Sequence, residues 1–523
     1  MQHMEKAKYP VSTSDFERIR KDGYVYIDKT AYIHSLVTRG VYYFLGRPRR
    51  FGKSLLLSTI EAYYKGKRDL FRGLEIDNLQ PGEWTAYPVL RLDLSREAFL
   101  TQSSIDHLFD GHLTEWEKEL GITDIAPSSA QRFKRVITET AKGSRKKVVI
   151  LIDEYDAPLS AAIGNPQLLE IYREQLHGFY SVLKSLDAVI QFCMLTGVTK
   201  FGKVSVFSGL NNIRDISFEN AYAGICGITE QELRDCCASG VENLAREEGW
   251  DMAEAYSQLK YNYDGYHFSK ELLDIYNPFS VMNSFEKGEI NDYWSASGVP
   301  TILSKSLRNL DYDMGKLNGA QISQQSLTNL SAYNTNPVAI FYQTGYLTIK
   351  GYDNDSKIFT LGYPNREVER GILNNVLSVY APTPDDSGAK IQQMRSSLID
   401  GKPDEFATLL KAYLSDIPSH LRVNLSKYEN YYHTIFYCIA SLIGLDIHVE
   451  YNTSQGFIDM IIKTSGYIYV IELKVNGSAT TAMRQIEKKG YAEPFATDPR
   501  HIYLIGLGFS KKTATISSSK ILG

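Results

Sequence analysis

The segment VYYFLGRPRRFGKSLLLSTIEAYYKG (Val41–Gly66) decides the fold. Val41 to Leu45 is an unbroken apolar and aromatic run, read as a buried strand, and SLLLSTIEAYYKG repeats its apolar residues at helical spacing before stopping at Gly66. Between them RPRRFGKS (Arg47–Ser54) supplies a glycine turn, a lysine and a hydroxyl at the start of a helix. Converging backbone N–H groups, a lysine for the outer phosphates and a hydroxyl that holds magnesium are what a phosphate-binding loop requires. Gly52, Lys53, Ser54 and the adjoining Leu55 are therefore the expected contacts to a nucleotide. The first glycine of the usual pattern is replaced by Arg47, and Gly46 lies one residue early. Arg47, Arg49 and Arg50 read either as additional phosphate contacts or as solvated loop charges.

A partner motif follows in KKVVILIDEYD (Lys146–Asp156), an apolar strand that ends in Asp153 and Glu154. Phosphoryl hydrolysis needs one acid to hold Mg²⁺ and one to polarise the attacking water. Asp153 is expected in the first role and Glu154 in the second; the plainer reading is an acidic cap on the next helix. Thr196, in FCMLTGVTKFGK (Phe192–Lys203), closes a third strand where it would sense the terminal phosphate. Arg214, in GLNNIRDI, is a candidate transition-state cation on weaker grounds. Buried strands are also expected at Val89–Leu94, Val148–Ile152 and Val189–Leu195, with helices around Ser129–Lys142 and Leu168–Leu186. Strands alternating with helices imply a parallel sheet covered on both faces.

Near the other end, YIYVIELKV (Tyr467–Val475) carries Glu472 and Lys474 two apart, hence on one face of a strand, with Leu473 facing the core. GFIDMII (Gly456–Ile462) reads as the preceding strand, paired across a TSG turn so that Asp459 lies alongside. Metal-dependent phosphodiester cleavage calls for carboxylates that hold Mg²⁺ and a lysine that offsets developing charge, so Asp459, Glu472 and Lys474 form a candidate site. Glu429 begins an amphipathic helix that would deliver another carboxylate, with Glu450 as its competitor, and Gln485 lies on the helix after the ExK strand. His433, a lone histidine in a tyrosine-rich helix, is assigned no ligand role.

At 523 residues the chain is too long for one core, and two or three domains are expected. Its 57 basic and 61 acidic residues leave a net charge of −4, which argues against a surface basic throughout but allows a local basic groove. Candidates for such a groove are Lys488, Lys489, Arg500, Lys511, Lys512 and Lys520. There is no apolar run of the roughly 20 residues that a membrane span needs, and no apolar stretch follows the first charges, so a cytoplasmic protein that binds no membrane is expected. Five cysteines without metal-ligand spacing read as free, mostly buried thiols. The tyrosine-rich stretch around Tyr261, Tyr263, Tyr266, His267 and Phe268 reads as core packing rather than base stacking.

Two resemblances attach to these motifs. The first half resembles the AAA-ATPase-like family of bacterial P-loop proteins at FERIRKDGYVYIDKT (Phe16–Thr30), RPRRFGKS, ILIDEYDAPL, LTGVTKF, SGLNNIRDI, YDGYHF and YNPFS. That resemblance implies ATP binding by Gly52, Lys53, Ser54 and Asp153. From about Asp404 onward the chain resembles the PD-(D/E)xK nuclease superfamily, through IHVEYNTSQGFIDMII, YIYVIELKVNGSATTAMRQIEKKGYAEPF and IYLIGLGFS, with Ile458 in place of the motif's proline. This implies a mixed sheet flanked by helices, with Asp459, Glu472 and Lys474 as catalytic core and Glu429 and Gln485 in support.

The expectation is an α/β protein: a P-loop NTPase parallel sheet in residues 1–290, a mainly helical connector in 291–403 and a restriction-endonuclease-like domain in 404–523. Its cofactors would be ATP and Mg²⁺, its partner a nucleic acid, DNA ahead of RNA, and ATP would drive any assembly into a homo-oligomer. The alternative is an ATP-switched binding or remodelling protein whose nuclease fold is inert.

Overall fold

The computed structural model describes residues 7–124, 126–200, 212–297, 314–328, 337–381, 387–417, 430–453, 455–510 and 515–523. The chain divides into two compact units, Met1–Ser306 with Asn318–Glu369, and Leu307–Leu317 with Arg370–Gly523. Residues 291–403, expected as one connector, are thus shared between the two units.

The first unit is built on strands β1 (Tyr42–Gly46), β2 (Val89–Asp93), β3 (Val148–Asp153), β4 (Ile190–Gly197) and the short β5 (Arg214–Asp215). They lie in the order β2-β3-β4-β1-β5, all parallel. Every residue of β3 is buried, which is why VVILID carries no polar alternation before its terminal acid. The helix Lys53–Tyr64 packs on β3 and β4, and Ser129–Ser144 packs on β3. Registers Gly46↔Gly197 and Ile152↔Leu195 bring the ends of β1, β3 and β4 to one level, the edge where parallel sheets gather their ligands.

After β5 the chain turns helical. Glu230–Glu248, Met252–Tyr263 and Pro278–Lys287 close around Leu233, Val241, Leu259, Tyr263, Tyr276 and Phe285, with Tyr9 reaching in from the start of the chain. Tyr263, Tyr266, His267 and Phe268 are buried, as core packing requires, while Tyr261 is exposed. A small antiparallel sheet, order β6-β8-β7, follows from Gln321–Ser323 (β6), Thr348–Asp353 (β7) and Ile358–Gly362 (β8).

The second unit carries helices Ser387–Ile399, Pro403–Ser415 and Asn430–Ile443, then strands β9 (Asp446–Thr453), β10 (Gly456–Lys463), β11 (Tyr467–Val475), β12 (His501–Ser510) and β13 (Thr515–Leu522). The sheet order is β13-β12-β11-β10-β9. β10 and β11 form the expected hairpin across Thr464–Gly466, where the Thr464 backbone N–H donates to Tyr467 O at 2.8 Å. β11 and β12 run parallel, joined by the Ala479–Lys488 helix that packs on both. One face of the hairpin and that helix share a core of Ile461, Ile468, Val470, Met483 and Ile486. On the other side the Tyr469 hydroxyl donates to Leu398 O at 2.6 Å, tying the sheet to the Ser387–Ile399 helix.

The helix comes unusually close to β12, because a Cβ at Gly506 would stand 2.5 Å from Ala479 O and 3.0 Å from Met483 N, both backbone atoms. Gly506→Ala must therefore push the helix outward. We expect a loss of about 1–3 kcal/mol, read as faster hydrogen exchange in β11 and β12, whereas Gly466→Ala, where a Cβ meets nothing within 4 Å, should leave exchange unchanged.

Candidate nucleotide and metal sites

In the first unit the turn after β1 is set by Gly52, whose φ of 94° is readily adopted only by glycine, and by Arg50, also left-handed at φ 68°. The Lys53–Tyr64 helix starts there with no side chain capping its first N–H groups. The Lys53 ammonium, 4% exposed, donates to Arg47 O at 3.0 Å and Pro48 O at 3.1 Å and lies 3.9 Å from a Glu154 carboxylate oxygen. Ser54 and Leu55 line the same cavity of about 470 Å³, together with Arg49, Arg50, Gly52 and Glu154. Its apolar wall comes from Val11, Val25, Ile27, Ile228, Phe279 and Met282.

Arg47 departs from both readings offered for it. It neither faces the cavity nor lies in solvent: at 2% exposure its guanidinium donates to Gly46 O, Ser217 O and Tyr222 O at 2.8–3.0 Å and sits 4.2 Å over the Phe268 ring. The residue standing in for the pattern's first glycine is thus a buried brace between the loop and the segment after β5. Arg49 and Arg50 are exposed, Arg50 held 4.8 Å over the Phe279 ring, and Trp294 Nε1 donates to Arg49 O at 3.1 Å.

Asp153 and Thr196 meet as their strand positions predict, with the buried Thr196 hydroxyl donating to an Asp153 oxygen at 2.7 Å. Sequence reading missed two neighbours. Arg91 on β2 reaches Asp153 at 3.7 Å, Glu61 at 3.0 Å and Ser54 O at 3.4 Å. Asp156 accepts from the Val198 and Thr199 backbone N–H groups at 3.1 and 2.7 Å, locking the end of β4 to the acidic motif; its position three residues after Asp153 was the available signal. Glu154 is held in the left-handed region at φ 52°. Burial raises its carboxyl pKa, Lys53 opposes the rise, and Asp156 and Asp153 add to it. Arg214 is not aimed at this cavity's acids: its guanidinium is committed to Glu219 at 2.8 and 2.5 Å.

In the second unit, β10 and β11 pair as far as Met460↔Ile471, and beyond that point the Asp459 carboxylate takes over the ladder, accepting the Leu473 N–H at 2.7 Å. That bond points Asp459 towards the ExK pair. Glu472 is fully buried; one carboxylate oxygen accepts from Lys474 Nζ at 2.6 Å, and the other meets no hydrogen-bond donor among the described residues. Burial first, then the charge of Asp459, push its pKa up to about 7, against the pull of Lys474. Gln485, half-buried on the next helix, donates to the Tyr491 hydroxyl at 3.4 Å. Glu429 lies outside the described residues. The backbone of Glu450 on β9 falls between the partners of Ile458 and Met460, opposite Asp459. Among the described residues no cluster of three or more His, Cys, Asp or Glu is placed to hold a metal. The site offers two carboxylates, an all-oxygen set of the kind that hard cations take.

Among the basic-groove candidates, Lys489 donates to Gln455 O at 2.9 Å, Arg500 pairs with Asp498, Lys488 and Lys520 are exposed, and Lys511 and Lys512 lie outside the described residues. Four cysteines are free and buried and Cys236 is free and exposed. No helix among the described residues is long and apolar enough to cross a membrane.

Comparison with known proteins agrees with the geometry. Residues 10–207 match the family described as predicted AAA-ATPase, and residues 427–519 match the PD-(D/E)XK nuclease superfamily. A protein of Azotobacter chroococcum mcd 1, named "Uncharacterized protein in vnfD 5'region", is 33% identical over 521 residues, 98% of each chain. The chain belongs to that family, an AAA-ATPase-like domain followed by a PD-(D/E)XK nuclease superfamily domain. The first match contains the Arg47–Ser54 loop, Asp153 and Thr196, and the second contains Asp459, Glu472, Lys474 and Gln485.

The raised Glu472 pKa has a sign in stability. Folding favours its protonated form, so the ionised carboxylate opposes folding: the penalty is absent below the ordinary value of 4.5, grows with pH and is complete above about 7. In a chelator, Glu472→Gln should stabilise the nuclease-superfamily domain by about 2–3 kcal/mol at pH 8.5, with the gain shrinking towards pH 5. Denaturant melts at both pH values measure it.

Proposed function

We propose that the chain binds ATP with Mg²⁺ in its AAA-ATPase-like domain and hydrolyses phosphodiester bonds of nucleic acid, DNA ahead of RNA, at a second Mg²⁺ site in its nuclease-superfamily domain. The observation that carries the nuclease reading is the bare, buried oxygen of Glu472 beside Asp459, with Lys474 on the same carboxylate. An uncompensated buried carboxylate oxygen is costly, and a divalent cation is the partner that would satisfy it together with Asp459. The cation supplies Lewis acidity and a more acidic water when bound. Asp459 and Glu472 hold it, Lys474 offsets charge at the scissile phosphate, and Gln485 supports the strand end from the following helix.

At the nucleotide site the support is of the same kind. The uncapped N-terminus of the Lys53–Tyr64 helix and the Lys53 ammonium face one cavity, the arrangement that favours phosphate oxygens. Ser54 and Asp153 hold Mg²⁺, and Thr196 fixes the orientation of Asp153 through their hydrogen bond. Glu154, whose raised pKa keeps it a ready proton acceptor, aligns the attacking water. Arg49 and Arg50, exposed at the cavity rim, add positive charge for the outer phosphates.

Two measurements check this. By calorimetry Lys53→Ala should bind ATP at least tenfold more weakly, and unchanged affinity contradicts the phosphate assignment. With Mg²⁺ or Mn²⁺, Asp459→Ala and Lys474→Ala should each cut a panel of DNA and RNA substrates at least about 100-fold more slowly than wild type. A wild type that cuts nothing with or without ATP, yet binds DNA in a salt-dependent way, would instead make this domain a binding module.

A further inference from the structure

Phe457 is a large aromatic side chain that folding leaves in water. It is 60% exposed, whereas its neighbours Ile458 and Met460 are buried at 0% and 1%. Along β10 the burial alternates from exposed Phe457 to buried Ile458, half-buried Asp459 and buried Met460. Phe457 and Asp459 are thus the residues of this stretch left unburied, two apart on one strand and about 7 Å along it. The ring takes no part in the apolar cluster that Ile458 joins.

Its backbone is nevertheless fixed. Phe457 pairs with Asn452 across the hairpin, and the Thr453 hydroxyl donates to Gly456 O at 2.6 Å. Lys489 anchors the same turn by donating to Gln455 O at 2.9 Å. This anchor also puts one cation, Lys489, on the turn that leads into Phe457, and both Lys489 and the adjacent Lys488 are exposed. An exposed ring on a hydrogen-bonded strand, with a lysine on the turn before it and a carboxylate of the proposed metal site two residues on, is a combination that suits single-stranded nucleic acid. Its bases have free faces to stack, and its phosphates need cations. In an intact duplex each base face is covered by its neighbour, so the same ring meets nothing until a base is displaced.

We infer that Phe457 is a base-stacking residue that selects single-stranded or unpaired nucleic acid for the Asp459–Glu472–Lys474 site. The inference rests on the nuclease reading for the chemistry of that site, but stacking itself can be read without cleavage. A single-stranded oligonucleotide carrying 2-aminopurine at successive positions is titrated into the full chain in a chelator. Wild type should quench the probe at one or two positions and bind the single strand about tenfold more tightly than the matching duplex. Phe457→Ala should lose the quench and bind the single strand about tenfold more weakly, and Phe457→Trp should restore both. In parallel, cleavage of single strand and duplex is followed with Mn²⁺.

If Phe457→Ala quenches, binds and cuts like wild type, or if wild type gives no quench, the stacking role is overturned whatever the cleavage result. If wild type does not cleave but shows quenching that depends on Phe457, stacking stands and the nuclease reading fails instead. Because the ring is outside the core, loss of fold is not expected; an unchanged hydrogen-exchange pattern in β11 and β12 verifies that.

Discussion

Two carboxylates, buried Glu472 and half-buried Asp459, are brought together where β10 parts from β11, and the chemistry proposed for the second unit follows from that crowding. The hairpin register sets Asp459 beside the ExK strand, and the Leu473 N–H holds it there. Glu472 is left with one oxygen on Lys474 and the other on no donor among the described residues, in a place that raises its pKa to about 7. A protein selected for stability alone would replace such a group with an apolar one. The cation proposed for this pair would account for the presence of Glu472 near the end of a strand, facing a lysine.

The nucleotide site uses the opposite sign in the same way. Two cations, Arg47 and Lys53, are buried just after β1, and each donates to backbone carbonyls rather than to a carboxylate at hydrogen-bonding distance. Carbonyls leave the net positive charge in place. Arg47 spends its charge on bracing, whereas Lys53 faces the cavity at a helix start that already favours anions. In the second unit Lys474 sits on Glu472 while Lys488 and Lys489 are exposed at the end of the following helix, so a chain of net charge −4 still carries local positive charge.

Much of this was legible before any coordinates. Strands β1 to β4 fall within two residues of the runs that announced them, because β1, β3 and β4 are buried along nearly their whole length and β2 alternates buried with half-buried residues. The meeting of Asp153 with Thr196, and the shared face of Glu472 and Lys474, follow from strand ends and from a period of two. What escaped was fixed by partners distant in sequence. Whether an arginine in a phosphate loop faces ligand, solvent or core depends, for Arg47, on carbonyls at Ser217 and Tyr222 and on the Phe268 ring. Arg91 escaped because one arginine in a strand does not announce its partner, and the β6-β8-β7 sheet because QIS and TIKGYD mix polar residues and glycine into the run and show no unbroken apolar stretch. Phe457 is apolar beside apolar Ile458, and residue type cannot say which of two adjacent hydrophobes turns outward.

The most direct test of the central claim is a metal titration followed by thermal unfolding of the nuclease-superfamily domain at pH 8, without nucleotide. Binding to the folded state alone stabilises it by RT ln(1 + L/Kd), where L is the free ligand concentration, and so raises the unfolding temperature as ligand is added. The account predicts that Mn²⁺ raises it for wild type and leaves Asp459→Ala unmoved. No shift for wild type, or an equal shift in the variant, would mean that the corner between β10 and β11 is not where the cation goes.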